Sequence, residues 1–296
     1  MTDIWQQIGA HIAAALNKPF SIERHDGIGG GCISRAHVVS GGGERYFVKL
    51  NDARMEPMFA AEAKGLDEIA ATGTVTVPRP LCRGTAGDTA YLVMEYLALG
   101  RSGTDTARSL GVHLAAMHRV TCEAFGWTVD NYIGSTPQVN SPERDWSVFW
   151  QRHRLGYQLE TAAANGYRGR LADRGWRLVE GVPALLAGHA PPASLLHGDL
   201  WSGNWAGDGR GDPVVFDPAA YYGDRETDLA MTELFGGFPA AFYEAYRGEY
   251  PLDAGYGLRK DLYNLYHVLN HLNLFGTAYL SQAQRLIDRL LGACRT

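Results

Sequence analysis

Apolar positions recur along this chain with two different periods. Ile4, Ile8, Ile12 and Leu16 fall at helical spacing, which predicts an amphipathic helix packed on the domain. Strand-like stretches follow at 36–39 and 46–50, separated by Gly41-Gly42-Gly43 in the pattern of an antiparallel hairpin. Residues 58–71 are rich in Ala, Glu and Leu and stop before Gly73, as a helix with a glycine end would. Prolines keep 75–80 extended, and Tyr91-Leu92-Val93-Met94-Glu95-Tyr96 is a short apolar run suited to a buried strand. Beyond residue 107 helical patterns dominate, at 107–118, 146–164, 171–186, 259–275 and 281–291. Two short strand-like pieces, 204–206 and 214–216, interrupt them across the turn-forming run 207–212. The expected fold class is therefore α+β with two lobes. A small β-rich lobe spans 1–96, with an extended hinge at its end near Met94 to Leu97, and a mainly helical lobe spans 97–296.

Composition narrows the function more than the fold. Of 296 residues 46% are hydrophobic and 20% charged, enough to bury a core without a sign of disorder. The net charge of -5, with no long Lys/Arg cluster, argues against nucleic acid or an anionic membrane as the main partner. A small or nucleotide-type ligand stays open. Asp3, Gln6, Gln7 and His11 interrupt the first segment, so it reads as neither a signal peptide nor a membrane span. Cys32, Cys82, Cys122 and Cys294 are scattered, with no CxxC pair to suggest structural zinc. Reduced thiols and a cytoplasmic setting are expected. Oligomeric state is not legible.

The strongest chemical signal is Leu196-His197-Gly198-Asp199-Leu200-Trp201-Ser202-Gly203-Asn204, with Asp217 thirteen residues after Asn204 at the end of a predicted strand. Phosphoryl transfer needs an oriented acceptor hydroxyl, metal on the phosphates and neutralised charge. Asp199 supplies the orienting carboxylate, and Asn204 and Asp217 supply oxygen ligands for hard magnesium ions. A lone HGD is an ordinary capped turn; the full set is not. In the first lobe, Lys49 ends an apolar run and Glu62 follows thirteen residues later on the predicted helix. An ammonium held by a carboxylate reaches phosphates as a fixed point charge. By themselves such residues are more often a solvated pair, so this pairing rests on the Asp199 motif. Gly29, Gly30 and Gly31 let backbone N–H groups approach phosphate, although glycines also suit any hairpin. Cys32 in that loop is expected to be redox-sensitive, because surrounding N–H donors favour thiolate; the plain alternative is an inert small residue.

These motifs, with Phe216-Asp217-Pro218-Ala219, Gly223-Asp224-Arg225-Glu226-Thr227-Asp228-Leu229-Ala230 and Leu234-Phe235-Gly236-Gly237-Phe238, resemble the fructosamine (ketosamine) kinase family, relatives of aminoglycoside and choline kinases with a protein-kinase-like fold. Phe125-Gly126-Trp127, the run from Asn131 to Asn140, Asp145-Trp146, Arg154-Leu155 and Leu269-Asn270-His271-Leu272 extend the resemblance over nearly the whole chain. It implies ATP and Mg2+ as cofactors, Asp199 as catalytic base, Asn204 and Asp217 as metal ligands, and Lys49 with Glu62 on the phosphates. Met94, Glu95, Tyr96 and Leu97 become the adenine-binding hinge. His197 and Asp228 become supports of the catalytic loop, Asp228 through hydrogen bonds to its backbone. The implied substrate is a ketosamine, free or on a glycated protein lysine, phosphorylated on the sugar's third carbon in a deglycation repair.

Trp201 is read as a flat platform for the sugar rather than a core aromatic. His271 is read as lining the substrate cleft, against ordinary packing; a metal pair with His267 lacks the Glu of a zinc-protease motif. Trp146, Phe149 and Trp150 read as core. An aminoglycoside- or choline-type kinase is the alternative, and a catalytically silent nucleotide-binding module is disfavoured because Lys49, Asp199 and Asp217 are all present.

Overall fold

The structure, a computed structural model, describes residues 3–29 and 33–294. Gly30, Gly31 and Cys32, expected in the phosphate loop, lie outside the described residues.

Helix α1 (Ile4–Leu16) starts where the Asp3 side chain accepts from Trp5 N–H and ends at Asn17 in the left-handed conformation. After it come β1 (Arg24–Ile28), β2 (Arg35–Gly41) and β3 (Glu44–Asp52). The β2–β3 turn requires positive φ at both Gly42 and Gly43, which is why glycines fill it. Helix α2 (Glu56–Ala71), β4 (Pro80–Ala86) and β5 (Thr89–Glu95) complete a five-stranded antiparallel sheet of order β1-β2-β3-β5-β4. Period-two alternation divides the sheet between two jobs. Val48, Leu50, Tyr91 and Val93 pack with Ile8 and Ile12 of α1, while Leu92 and Met94 join Phe59 and Leu66 of α2. Lys49 therefore points away from the α1 side.

The chain then passes through β6 (Leu99–Gly100), α3 (Thr104–Met117), β7 (Thr121–Cys122) and the small hairpin β8 (Asn131–Ile133) and β9 (Thr136–Gln138). The predicted helix over 146–164 is three pieces: α4 (Trp146–Trp150), π-helical turns at Gln151–Gly156, and α5 (Tyr157–Ala164). A widened turn of this kind recurs at functional sites, and here it carries Arg154 into the interior. Trp146, Phe149 and Trp150 are core, as expected. Helix α6 (Arg170–Leu185) precedes β10 (Ala193–Leu196), β11 (Trp205–Asp208), β12 (Pro213–Val215) and β13 (Tyr221–Gly223). Four helices follow: α7 (Glu226–Leu234), α8 (Ala240–Glu249), α9 (Tyr256–Phe275) and α10 (Leu280–Ala293). β10 lies between β13 and β7, and β11 between β12 and β6.

The result is α+β, with a β-rich first part and a mainly helical second. One apolar cluster joins Phe59, Leu66, Leu92 and Met94 to Leu110, Leu114, Trp205 and Phe242, so the two parts share a core on either side of the hinge. No helix among the described residues is long and apolar enough to cross a membrane.

Candidate active site

A cavity of about 890 Å³ opens between the two parts. Its upper wall holds Gly29, Phe47, Lys49 and Glu62; Met94, Glu95 and Leu97 come from the hinge, and Asp199, Trp201, Asn204, Asp217 and His271 from the helical part. Tyr96 does not line it; Arg45 lies over the Tyr96 ring at 4.3 Å.

Three segments meet at the cavity floor. The first is 197–204, the loop between β10 and β11. The second is 216–219, which leaves β12 with Asp217 at φ 59, a backbone state that Asp tolerates better than most residues. They are stitched together: Ala219 N–H donates to the His197 carbonyl at 2.9 Å, and His197 Nε2–H donates to the Phe216 carbonyl at 3.0 Å. Burial lowers the His197 pKa, in keeping with a neutral ring in that role. Beneath them is α7, whose Asp228 accepts from His197 N–H at 2.7 Å and Gly198 N–H at 2.8 Å.

Lys49 connects this floor to the sheet. Its Nζ lies 2.5 Å from Glu62 Oε1 and 2.7 Å from Asp217 Oδ1. Burial works to lower the ammonium pKa, but the charges of Asp217 and Glu62 outweigh it and the net shift is upward, so Lys49 stays cationic. Burial raises Glu62 despite that neighbour. Asp199 is pushed up to about 7, first by burial and then by the charges of Asp217 and Asp228, with an Asn204 hydrogen bond opposing.

A hard cation fits the donors present. Asn204 Nδ2 is turned inward to the Asp199 carbonyl at 2.9 Å and its carboxylate at 3.3 Å. That leaves Asn204 Oδ1 without a partner among the described residues. Asp217 gives one oxygen to Lys49, and its side chain remains 46% exposed towards the cavity. Oxygen donors without sulfur or imidazole suit magnesium. A second group with ligand-like spacing, His189, Asp224 and Glu226, lines no part of the cavity. Its carboxylates are already held by Tyr263 and Arg259.

Comparison with known proteins decides between small-molecule kinases. The sequence profile of the fructosamine kinase family matches residues 4–293. The chain belongs to the fructosamine kinase family. It is 49% identical over 288 residues to a probable ketoamine kinase of Synechocystis, covering 97% of each. Identity is 42% to a chloroplastic protein-ribulosamine 3-kinase of Oryza sativa subsp. japonica, over 89% of this chain and 78% of that one. The crystal structure of a putative fructosamine-3-kinase from Haemophilus somnus superposes with TM-score 0.89 at 28% identity, covering 98% and 100% of the two chains. A thermostable mutant of aminoglycoside phosphotransferase APH(4)-Ia, with TM-score 0.63 at 16% identity over 96% and 98%, shares the kinase-like fold alone.

Within this fructosamine kinase, two site residues escape sequence reasoning. His118, fully buried on α3, lies 2.8 Å from Tyr246 OH through Nδ1 and 3.1 Å from Asp228 Oδ2 through Nε2. A single His in an apolar helix reads as packing, and no pattern marks its partner 110 residues away. Gly198 is the other. Its φ of +82 and a Cβ position only 2.1 Å from the Ala219 carbonyl oxygen exclude any side chain. Where this fructosamine kinase has His-Gly-Asp, protein kinases have His-Arg-Asp, and here the stitch to Ala219 accounts for the glycine. Gly198→Ala is expected to part the two floor segments and lower kcat at least about tenfold, at a stability cost of about 1–3 kcal/mol. Steady-state rates and urea melts of the purified variant check this; an unchanged kcat contradicts the close approach.

Proposed function

We propose that the chain is an ATP- and magnesium-dependent ketosamine 3-kinase, acting on a ribulosamine- or fructosamine-type sugar amine, free or protein-bound, in a cytoplasmic deglycation repair. One observation carries the reading: Lys49, bonded to both Glu62 and Asp217, faces the same cavity as Asp199 and Asn204.

In this reading Lys49 holds the ATP phosphates, Glu62 holds Lys49, and Met94, Glu95, Tyr96 and Leu97 form the adenine hinge. Asn204 and Asp217 would hold magnesium, which supplies charge neutralisation on the phosphates. Asp199 orients the acceptor hydroxyl and takes its proton. As that oxygen bonds to the γ-phosphorus, the bond from the γ-phosphorus to the β–γ bridging oxygen breaks and ADP leaves. In the metal-free protein, burial and the neighbouring carboxylates Asp217 and Asp228 raise the Asp199 carboxyl, the direction that favours taking a proton. His197 and Asp228 keep the loop in place from below.

Trp201 is 39% exposed in the cavity wall and serves as the sugar platform. His271 closes the far wall. Its Nδ1–H donates to the His267 carbonyl at 2.8 Å, leaving Nε2 as an acceptor, and its ring packs on Phe235 at 4.6 Å. Trp201→Ala is expected to raise the ketosamine KM about tenfold, or ~1.4 kcal/mol, with the KM for ATP nearly unchanged. ATP consumption on a panel of fructose-, ribulose- and erythrulose-amines, with aminoglycosides and choline as controls, tests the whole reading. Turnover of a control with every ketosamine ignored would leave a kinase and remove the substrate assignment.

A further inference from the structure

Two glycines sit in the loop between β10 and β11, and different physics requires each. Gly198 is fixed by its positive φ and a backbone oxygen. Gly203 has neither constraint. Its φ is not in the left-handed region, and it occupies the third position of a turn closed by Asn204 N–H on the Trp201 carbonyl at 3.0 Å. Turns without positive φ at that position accept most residues. What excludes a side chain is Trp201 itself. A Cβ on Gly203 would stand 2.3, 2.4 and 2.8 Å from three atoms of the six-membered ring of that indole. Both residues face the cavity.

We infer that Gly203 is a positioning residue: it is the seat on which the Trp201 indole lies, and so sets the orientation of the surface offered to the sugar. The inference rests on the platform reading of Trp201 for its functional consequence, but not for its geometry. An indole is rigid beyond two side-chain torsions, so its pose is decided by what it lies against. Here one edge of the ring lies where a Gly203 Cβ would stand, so it lies against bare backbone there. Adding one methyl forces movement, and the ring can give way more cheaply than the loop, because it is the half-exposed end of a side chain while the loop is tied through Asn204 and the Asp228 hydrogen bonds. Gly203→Ala therefore keeps its fold and loses its platform. Gly203, in the stretch Trp201-Ser202-Gly203 between the base and the metal ligand, is thereby a specificity position.

The test combines kinetics with a probe of the ring. Gly203→Ala should raise the ketosamine KM about tenfold while the KM for ATP stays within about twofold, so that Asn204 is seen to be undisturbed. In a Trp201→Ala background the same substitution should add less than about a twofold effect, the non-additivity of two residues acting through one ring. Independently, fluorine NMR of fluorotryptophan-labelled protein follows the chain's seven tryptophans, with the Trp201 resonance assigned by its loss in Trp201→Phe. Gly203→Ala should move that resonance and leave the other six. An unmoved Trp201 resonance overturns the inference, and so does a full additional KM effect in the Trp201→Ala background. A moved resonance with unchanged ketosamine KM upholds the seat and removes the platform role of Trp201, so the two failures are separable.

Discussion

Asp199→Asn will reduce turnover by a thousandfold or more, within the range of about 10²–10⁴ for loss of a general base with added disorder of the acceptor, while nucleotide affinity changes little. The separation follows from the division of the floor: Lys49 and Asp217 hold each other on the nucleotide side, whereas Asp199 bonds only within its own loop. The same substitution should make the ligand-free, metal-free protein more stable, and only in alkali. The Asp199 carboxyl is raised from 3.8 to about 7, so between those values the folded state binds more protons than the unfolded state. Stability then falls as pH rises through that window, and the ionised carboxylate is a cost fully present above pH 7. Asn carries no such charge. Because Asp199 is only half-buried, the gain is discounted to about 1–2 kcal/mol at pH 8, with almost none at pH 4. Urea melts at both pH values measure it. An equal difference at the two would contradict the raised carboxyl, and near-normal turnover would remove Asp199 from the base role.

The parts of this fold that were legible in sequence have short-range causes. Helices α2, α3, α6, α9 and α10 announce themselves by apolar spacing, and the β2–β3 hairpin by its glycines. Apolar spacing does not announce helices α7 and α8. α7 buries Glu226, Thr227, Asp228 and Thr232 together with Leu229 and Met231, so it has no polar outer face to generate a pattern. β1 is exposed at every position and β10 is buried at every position, which leaves neither with alternation. At the site, residues close in sequence, Asp199 and Asn204, could be paired by spacing. Lys49 and Glu62 could be paired only on the strength of the Asp199 motif, and Asp217, 168 residues from Lys49, joins them through the fold, which brings all three within hydrogen-bond distance. His118 acts through tertiary contacts alone, and Gly198, although part of the loop motif, owes its requirement to the Ala219 carbonyl as well as to its own positive φ.

Arg154 is the residue where the resemblance pointed to a position without a reason, and it carries the largest expected stability effect. It is 0% exposed, yet no carboxylate among the described residues bonds to it. Nη1 donates to the Val139 carbonyl at 2.6 Å and the His153 carbonyl at 3.0 Å, and Nη2 to Asn140 Oδ1 at 2.8 Å. Faces of Tyr221 and Phe149 lie 4.1 and 4.6 Å from the guanidinium carbon. From Asn140 the network continues to Asn131 at 2.9 Å, and Asn131 and Gln138 donate to the Ala220 and Ala219 carbonyls at 2.8 and 3.2 Å. The buried cation thus anchors the hairpin β8–β9, whose Asn131 and Gly134 line the cavity, onto the segment that follows Asp217. Exchanging a buried ion pair for apolar groups can be neutral when both partners are replaced. Here the acceptors would remain without their donor, the fully buried Asn140 side chain among them, so Arg154→Met should cost about 3–5 kcal/mol. Arg154→Lys should not rescue it, since one ammonium cannot reproduce a planar fork that serves three acceptors between aromatic faces. Urea midpoints of the two variants measure this, and ketosamine KM should rise in both as the hairpin loosens. A lysine variant within about 0.5 kcal/mol of wild type would show that charge alone, rather than the forked geometry, holds the hairpin to the catalytic floor.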